Sequence, residues 1–163
     1  MLQSCEDSLL DVNQTFTYSN EFQVISVDSV FSITEVVDLG AQDSLIAEYG
    51  DKIKEINIKE VKYWLTAFEG TDDQTIIEAI LKVADETGGG LQNIATITNQ
   101  NLKVLLNTPT PLTVNQDAIN SLQELIKNAP HTFQLGYNNS CNTAPLNFTV
   151  KFEFTIEMVA NPL

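Results

Sequence analysis

Few side chains in this sequence have the types and spacing that chemistry needs. His131 is the one histidine, Cys5 and Cys141 are the two cysteines, and arginine is absent. A zinc centre takes three or four His, Cys or carboxylate ligands. A Ser-His or Cys-His nucleophile would have to use His131, which follows Pro130 and reads as an exposed turn residue. No Gly-x-Ser-x-Gly elbow presents a serine. Cys141 stands in the run Asn138-Asn139-Ser140-Cys141-Asn142, with no cation nearby to lower its pKa. Gly88-Gly89-Gly90 lacks the Gly-Lys-Ser/Thr ending of a phosphate loop and reads as a flexible turn. The segment Glu69-Gly70-Thr71-Asp72-Asp73 is rich in oxygen ligands. Glu69 with Asp72 or Asp73 would suit glycoside hydrolysis only if the two acids met across a cleft. All three would suit weak Ca²⁺ binding, although the spaced Asp-x-Asp-x-Asp-Gly loop is missing.

Trp64 is a different kind of candidate. Neighbouring strand residues face opposite ways, so a core Tyr63 puts Trp64 outside, among Asn57, Lys62 and Thr66. There it could meet a sugar or a protein. No catalytic set and no cofactor site emerges. The expectation is a binding or structural module rather than an enzyme, with an adhesin-like or carbohydrate-binding role at Trp64 as one alternative and a carboxylate hydrolase as another.

Charge narrows the partners. Asp and Glu number 22 against 8 cationic residues, for a net charge of −14 over 163 residues. Nucleic-acid binding neutralises phosphates with clustered Lys and Arg, which this chain lacks. Electrostatic attachment to anionic lipid fails for the same reason. Without arginine, the usual bidentate clamp for phosphate and carboxylate is missing too. Hydrophobic residues make up 43%, enough for one self-sufficient core at this length.

The chain opens Met1-Leu2-Gln3-Ser4-Cys5-Glu6-Asp7. Leu2-Gln3-Ser4-Cys5 resembles a bacterial lipobox, and the acidic pair after it resembles lipoproteins of Bacteroidota. The resemblance implies cleavage after Ser4, a diacylglycerol on the Cys5 sulfur and a cell-envelope location, in particular the outer membrane. The basic start and apolar run of about 7–15 residues that make a signal peptide do not precede Cys5 in this sequence. No run of about 20 apolar residues offers a transmembrane helix. Residues 1–13 therefore read as a tether behind the lipobox-like cysteine, and 14–163 as the folded domain.

The elements follow from periodicity. Leu146, Phe148, Val150, Phe152, Phe154, Ile156 and Met158 occupy every second position, with polar residues between them. That is a long strand with one buried face, in an antiparallel sheet. Phe16, Tyr18, Phe22 and Val24 alternate likewise, and Phe31, Ile33 and Val37 continue in a second strand. Between Glu55 and Phe68 the phase slips at Lys59-Glu60, where a β-bulge would return Ile56, Ile58, Val61, Tyr63, Leu65 and Ala67 to one face. Helices are expected over 41–49 and 115–129, the latter capped by Thr113 or Asn115. Residues 71–87 fit either state. The alternation of Ile77, Ala79, Leu81 and Val83 favours a strand, in a meander with 55–68 and 91–97. A strand over 132–137 leads through an Asn-rich loop to the last strand. About seven strands in all make a single antiparallel β-sandwich of broadly immunoglobulin-like build, mainly β, with two helices in its connections. With Tyr49-Gly50-Asp51-Lys52-Ile53-Lys54, this layout is similar to the small β-sandwich lipoproteins of Bacteroidota.

Overall fold

A computed structural model describes residues 10–163. The lipobox-like Leu2-Gln3-Ser4-Cys5 lies outside the described residues. Eight strands form two four-stranded antiparallel sheets. They are β1 (Val12–Ser26), β2 (Val30–Asp38), β3 (Ile53–Phe68), β4 (Thr75–Asp85), β5 (Gln92–Asn101), β6 (Thr110–Pro111), β7 (Thr132–Cys141) and β8 (Leu146–Ala160). The first sheet runs β1-β8-β3-β6 and the second β2-β7-β4-β5. β1 pairs with β8, β2 with β7, β3 with β6 and β4 with β5. The chain is thus one long hairpin rolled over itself, which is jelly-roll wiring within the sandwich class.

β8 anchors the core as its alternation requires. Every even position from Leu146 to Ala160 is buried, and it pairs with β1 on one side and β3 on the other. At about 1.5–3 kcal/mol per large apolar side chain, the opposite register could not compete. Phe152 sits at the centre, with ring centroids 6.1 Å from Phe22, 6.3 Å from Tyr63 and 5.7 Å from Tyr137. From the second sheet, β7 contributes Phe133, Leu135 and Tyr137, and β4 contributes Ala79, Leu81 and Val83.

The phase slip in β3 is a bulge. Ile58 pairs with Ile156 and Glu60 with Thr155, leaving Lys59 as the extra residue. Ile56, Val61, Tyr63 and Leu65 are buried and Ile58 is half-buried, but a second shift between Leu65 and Ala67 turns Ala67 outward. Residues 75–85 are a strand, as their alternation suggests. They do not extend a meander from β3, however, because β3 and β4 belong to opposite sheets. The connection Glu69–Gln74 crosses the end of the sandwich instead.

Helices fill the connections. The segment expected as one helix over 41–49 is two short ones, α1 (Leu39–Gln42) and α2 (Ser44–Tyr49), because the Asp43 carboxylate accepts from Leu45 and Ile46 N–H and restarts the coil. α3 (Leu102–Leu105) is a single turn, too short to show a helical period. α4 (Gln116–Lys127) is capped by Asn115, whose side chain accepts from Asp117 N–H at 3.0 Å. It buries Ala118, Ile119, Leu122 and Ile126 and covers part of the edge of β3, where Gln123 Oε1 accepts from Ile58 N–H at 2.8 Å. β1 and β2, the edge strands on the other side, turn Glu35 partly inward; Asn20 Nδ2 donates to it at 3.3 Å. An inward carboxylate discourages further strands from adding there.

The two ends of the sandwich differ. One carries the start of β1 and the end of β8, with Val12 opposite Ala160. At the other end the loops are stitched together. The buried Gln74 donates to the carbonyls of Thr143 and Pro145, each at 3.0 Å, and Asn142 Nδ2 donates to Asp73 O at 2.9 Å.

Candidate functional site

The residues that sequence singled out are scattered. Glu69 Oε2 accepts from Asn147 Nδ2 at 2.8 Å. Asp72 pairs with Lys103 at 2.6 Å. The Asp73 carboxyl is held below the usual carboxylate range, first by a hydrogen bond from Thr71. Each acid has its own partner, and among the described residues no three His, Cys, Asp or Glu side chains converge as metal ligands.

His131 is buried rather than exposed. Its Nδ1 lies 2.7 Å from Ile126 O, and its backbone takes a left-handed φ of 61° as the chain turns from α4 into β7. The ring is used to close that turn. Cys141 is not in a loop either. It ends β7, buried, with Asn139 Nδ2 3.4 Å from its sulfur, and burial pushes its thiol pKa up. Such a thiol is a poor nucleophile at neutral pH. Gly88-Gly89-Gly90 is the β4–β5 turn, closed by Asp85, which accepts from the Thr87 hydroxyl and the Gly89 N–H.

Trp64 lies on the outer face of the first sheet, opposite in sense to the buried Tyr63. It is half-buried, and Lys151 Nζ stands 5.2 Å from its ring centroid. An ammonium over the indole occupies a face that a sugar ring would stack on. The aromatic is outside, as expected, but it is not an open platform.

A broad, open hollow lies on the other sheet, where sequence pointed to nothing. The outward residues of β2, β7, β4 and β5 form cross-strand rows. One row is Val30, Ser140, Glu78 and Thr98; the next is Ser32, Asn138, Ile80 and Thr96; the third is Thr34, Gly136, Lys82 and Asn93. Over the first two rows lies a groove of about 400 Å³, lined by Val30, Ser32, Glu78, Ile80, Asn138 and Ser140 among others. A second hollow of about 220 Å³ shares Ser32 and Asn138 and runs on over Gly136 towards Gly88. With its amide oriented by its neighbours, Asn138 accepts from Lys82 Nζ at 3.0 Å and donates to Ser32 Oγ at 2.8 Å. The three rows hold one carboxylate and one ammonium, Glu78 and Lys82, on a chain of net charge −14. A signal for this face was present. Gln134, Gly136, Asn138 and Ser140 alternate with Phe133, Leu135, Tyr137 and Cys141, but the polar half of that run resembles a loop.

Neither the comparison with protein-family models nor that with curated proteins finds a match. Among solved structures, a chain from Desmodium yellow mottle tymovirus is similar over 93% of this chain and 90% of its own, at 16% identity and a TM-score of 0.39. That likeness is too distant to bear on function.

Proposed function

We propose that the chain is a non-catalytic, lipid-anchored module of a bacterial cell envelope, at the outer membrane, that binds a partner. The observation that carries this reading is the sequence Leu2-Gln3-Ser4-Cys5 a short step before the first strand, which begins at Val12. The six residues from Glu6 to Asp11 reach at most about 20–22 Å when extended. A lipid on Cys5 therefore holds the domain close to the bilayer. The end bearing Val12 and Ala160 then lies towards the lipid, and the stitched loops around Gln74 point away. The acidic body adds no electrostatic attraction to an anionic leaflet, so the anchor alone would hold it. Scattered carboxylates, a buried thiol and an imidazole used to close a turn support the non-catalytic part.

The test is metabolic labelling with a clickable fatty acid, on the gene expressed with its own upstream region. Wild type is expected to take up the label and to partition with membranes, and Cys5→Ala to lose both. An unlabelled wild-type protein refutes the anchor.

A further inference from the structure

We propose that the groove on the outer face of the second sheet binds an uncharged, hydroxyl-rich ligand of the oligosaccharide class. This rests on reading the chain as a binding module, and does not depend on the anchor.

Gly136 is the first argument. It lies mid-strand in β7, with regular pairing to Thr34 on one side and Lys82 on the other. Its φ is not in the left-handed region, and a Cβ built on it would come no closer than 3.5 Å to the Lys82 and Thr34 side chains. Nothing within the chain itself demands glycine there. A glycine in a strand interior weakens the strand and often marks a bulge, a bend or a place where a ligand or another backbone comes close, and no bulge lies at Gly136. Gly136 is buried between the Thr34 and Lys82 side chains and lines the second hollow, which meets the groove at Ser32 and Asn138.

Ligand chemistry follows from the walls. Ser, Thr and Asn side chains both donate and accept, as sugar hydroxyls do. An anionic ligand would need more than Lys82, whose ammonium already donates to Asn138. A cationic ligand would find Glu78 offset by Lys82 on the same strand, while the acidic excess lies elsewhere. A wholly apolar ligand would bury the hydroxyls without partners. More of the lining surface is apolar than polar, with Val30 and Ile80 among its residues, which suits the C–H face of a sugar ring. The groove's volume is within the range of small-ligand sites. The Ser32–Asn138–Lys82 hydrogen bonds fix its side chains in advance, which lowers the ordering cost of binding.

The experiment uses the 163-residue chain on an array of neutral glucan, mannan, xylan and N-acetylglucosamine oligomers, with sialylated and phosphorylated glycans alongside. Hits are followed by calorimetry. Wild type is expected to bind at least one neutral oligomer. Gly136→Leu, which adds a side chain in the hollow adjoining the groove, is expected to weaken binding at least tenfold while circular dichroism is unchanged. Asn138→Ala is expected to weaken it as well, and serves as the second reading should the leucine variant fold poorly. Trp64→Ala is expected to bind as wild type does. An array without a neutral hit overturns the proposal, as does full binding by both groove variants or preference for the charged glycans. Loss of binding in Trp64→Ala alone moves the site to the other sheet. Self-association in sedimentation that Gly136→Leu abolishes, without glycan binding, makes a second copy the occupant. Fatty-acid labelling reads Cys5 alone, so failure here and failure of the anchor are separable.

Discussion

Deleting Lys59 and deleting Lys62 should have unequal consequences, although both are lysines of one strand on its solvent side. Lys59 is the extra residue of the bulge. Without it Ile58 still pairs with Ile156 and Glu60 with Thr155, and Val61, Tyr63 and Leu65 keep facing the core. The losses are some local twist and an ion pair between Lys59 and Glu157, at 3.4 Å and about half exposed, the kind worth about 0–1 kcal/mol. A total near 1 kcal/mol is expected. Lys62 lies in the regular stretch beyond the bulge. Removing it leaves two outcomes. In one, Tyr63 and Leu65 swing to solvent at about 1.5–3 kcal/mol each. In the other, the bulge is consumed, so that Val61 goes out and the Glu60 carboxylate goes in, which adds a buried charge. Either way the cost is at least about 3 kcal/mol. Urea titrations at neutral pH read both variants. At about 2–4 °C per kcal/mol for a domain of this size, the melting points should fall by roughly 2–4 °C and by at least about 6 °C. A Lys59 deletion as harmful as the Lys62 deletion would show that the bulge does not set the phase of the strand.

Phe152→Ala, at the meeting point of Phe22, Tyr63 and Tyr137, should cost about 3–5 kcal/mol by denaturation, while Glu153→Ala on the wet face should stay within about 0.5 kcal/mol. Gln74→Ala leaves the carbonyls of Thr143 and Pro145 without their shared donor, so a loss of about 1–3 kcal/mol is expected, with faster amide exchange at Asn142 and Thr75. The Cys141 thiol, its pKa raised by burial, should resist iodoacetamide at neutral pH in the native protein and react once urea unfolds it; peptide mapping distinguishes it from Cys5. The Asp85 carboxyl is held low by the Thr87 hydroxyl first and the Gly89 N–H next. Its contribution is present above the ordinary Asp value of about 3.9 and is lost as pH falls through the lower folded value. Urea midpoints between about pH 5 and pH 2.5 should drop less steeply in Asp85→Asn than in wild type.

What sequence could reveal here depended on how many residues carried one signal. β8 places seven large apolar residues at every second position and was legible from Leu146 to Met158, two residues short of its end at Ala160. The bulge was legible because the slip at Lys59-Glu60 separates two groups of large residues. α4 announces itself through a stripe, a cap and Pro130. The pairing of strands was not legible, because alternation says which face is wet and not which strand lies alongside; hence the mistaken meander through β3 and β4. β7 was cut short because its outward side is Asn, Ser, Gln and Gly, residues that also make loops. His131 was misplaced because a histidine after proline at a helix end gives no hint that its ring will turn back to Ile126. The groove was invisible for a related reason. It is assembled from single outward residues of separate strands, each unremarkable alone.

The fifteen-rung ladder between β1 and β8 has a mechanical meaning. Under the proposed anchor, a pull that enters the body at Val12 along β1 slides β1 past β8. Force in that direction loads the rungs together, like a lap joint, whereas a pull at right angles would peel them one by one. A domain pulled this way would keep its shape under load.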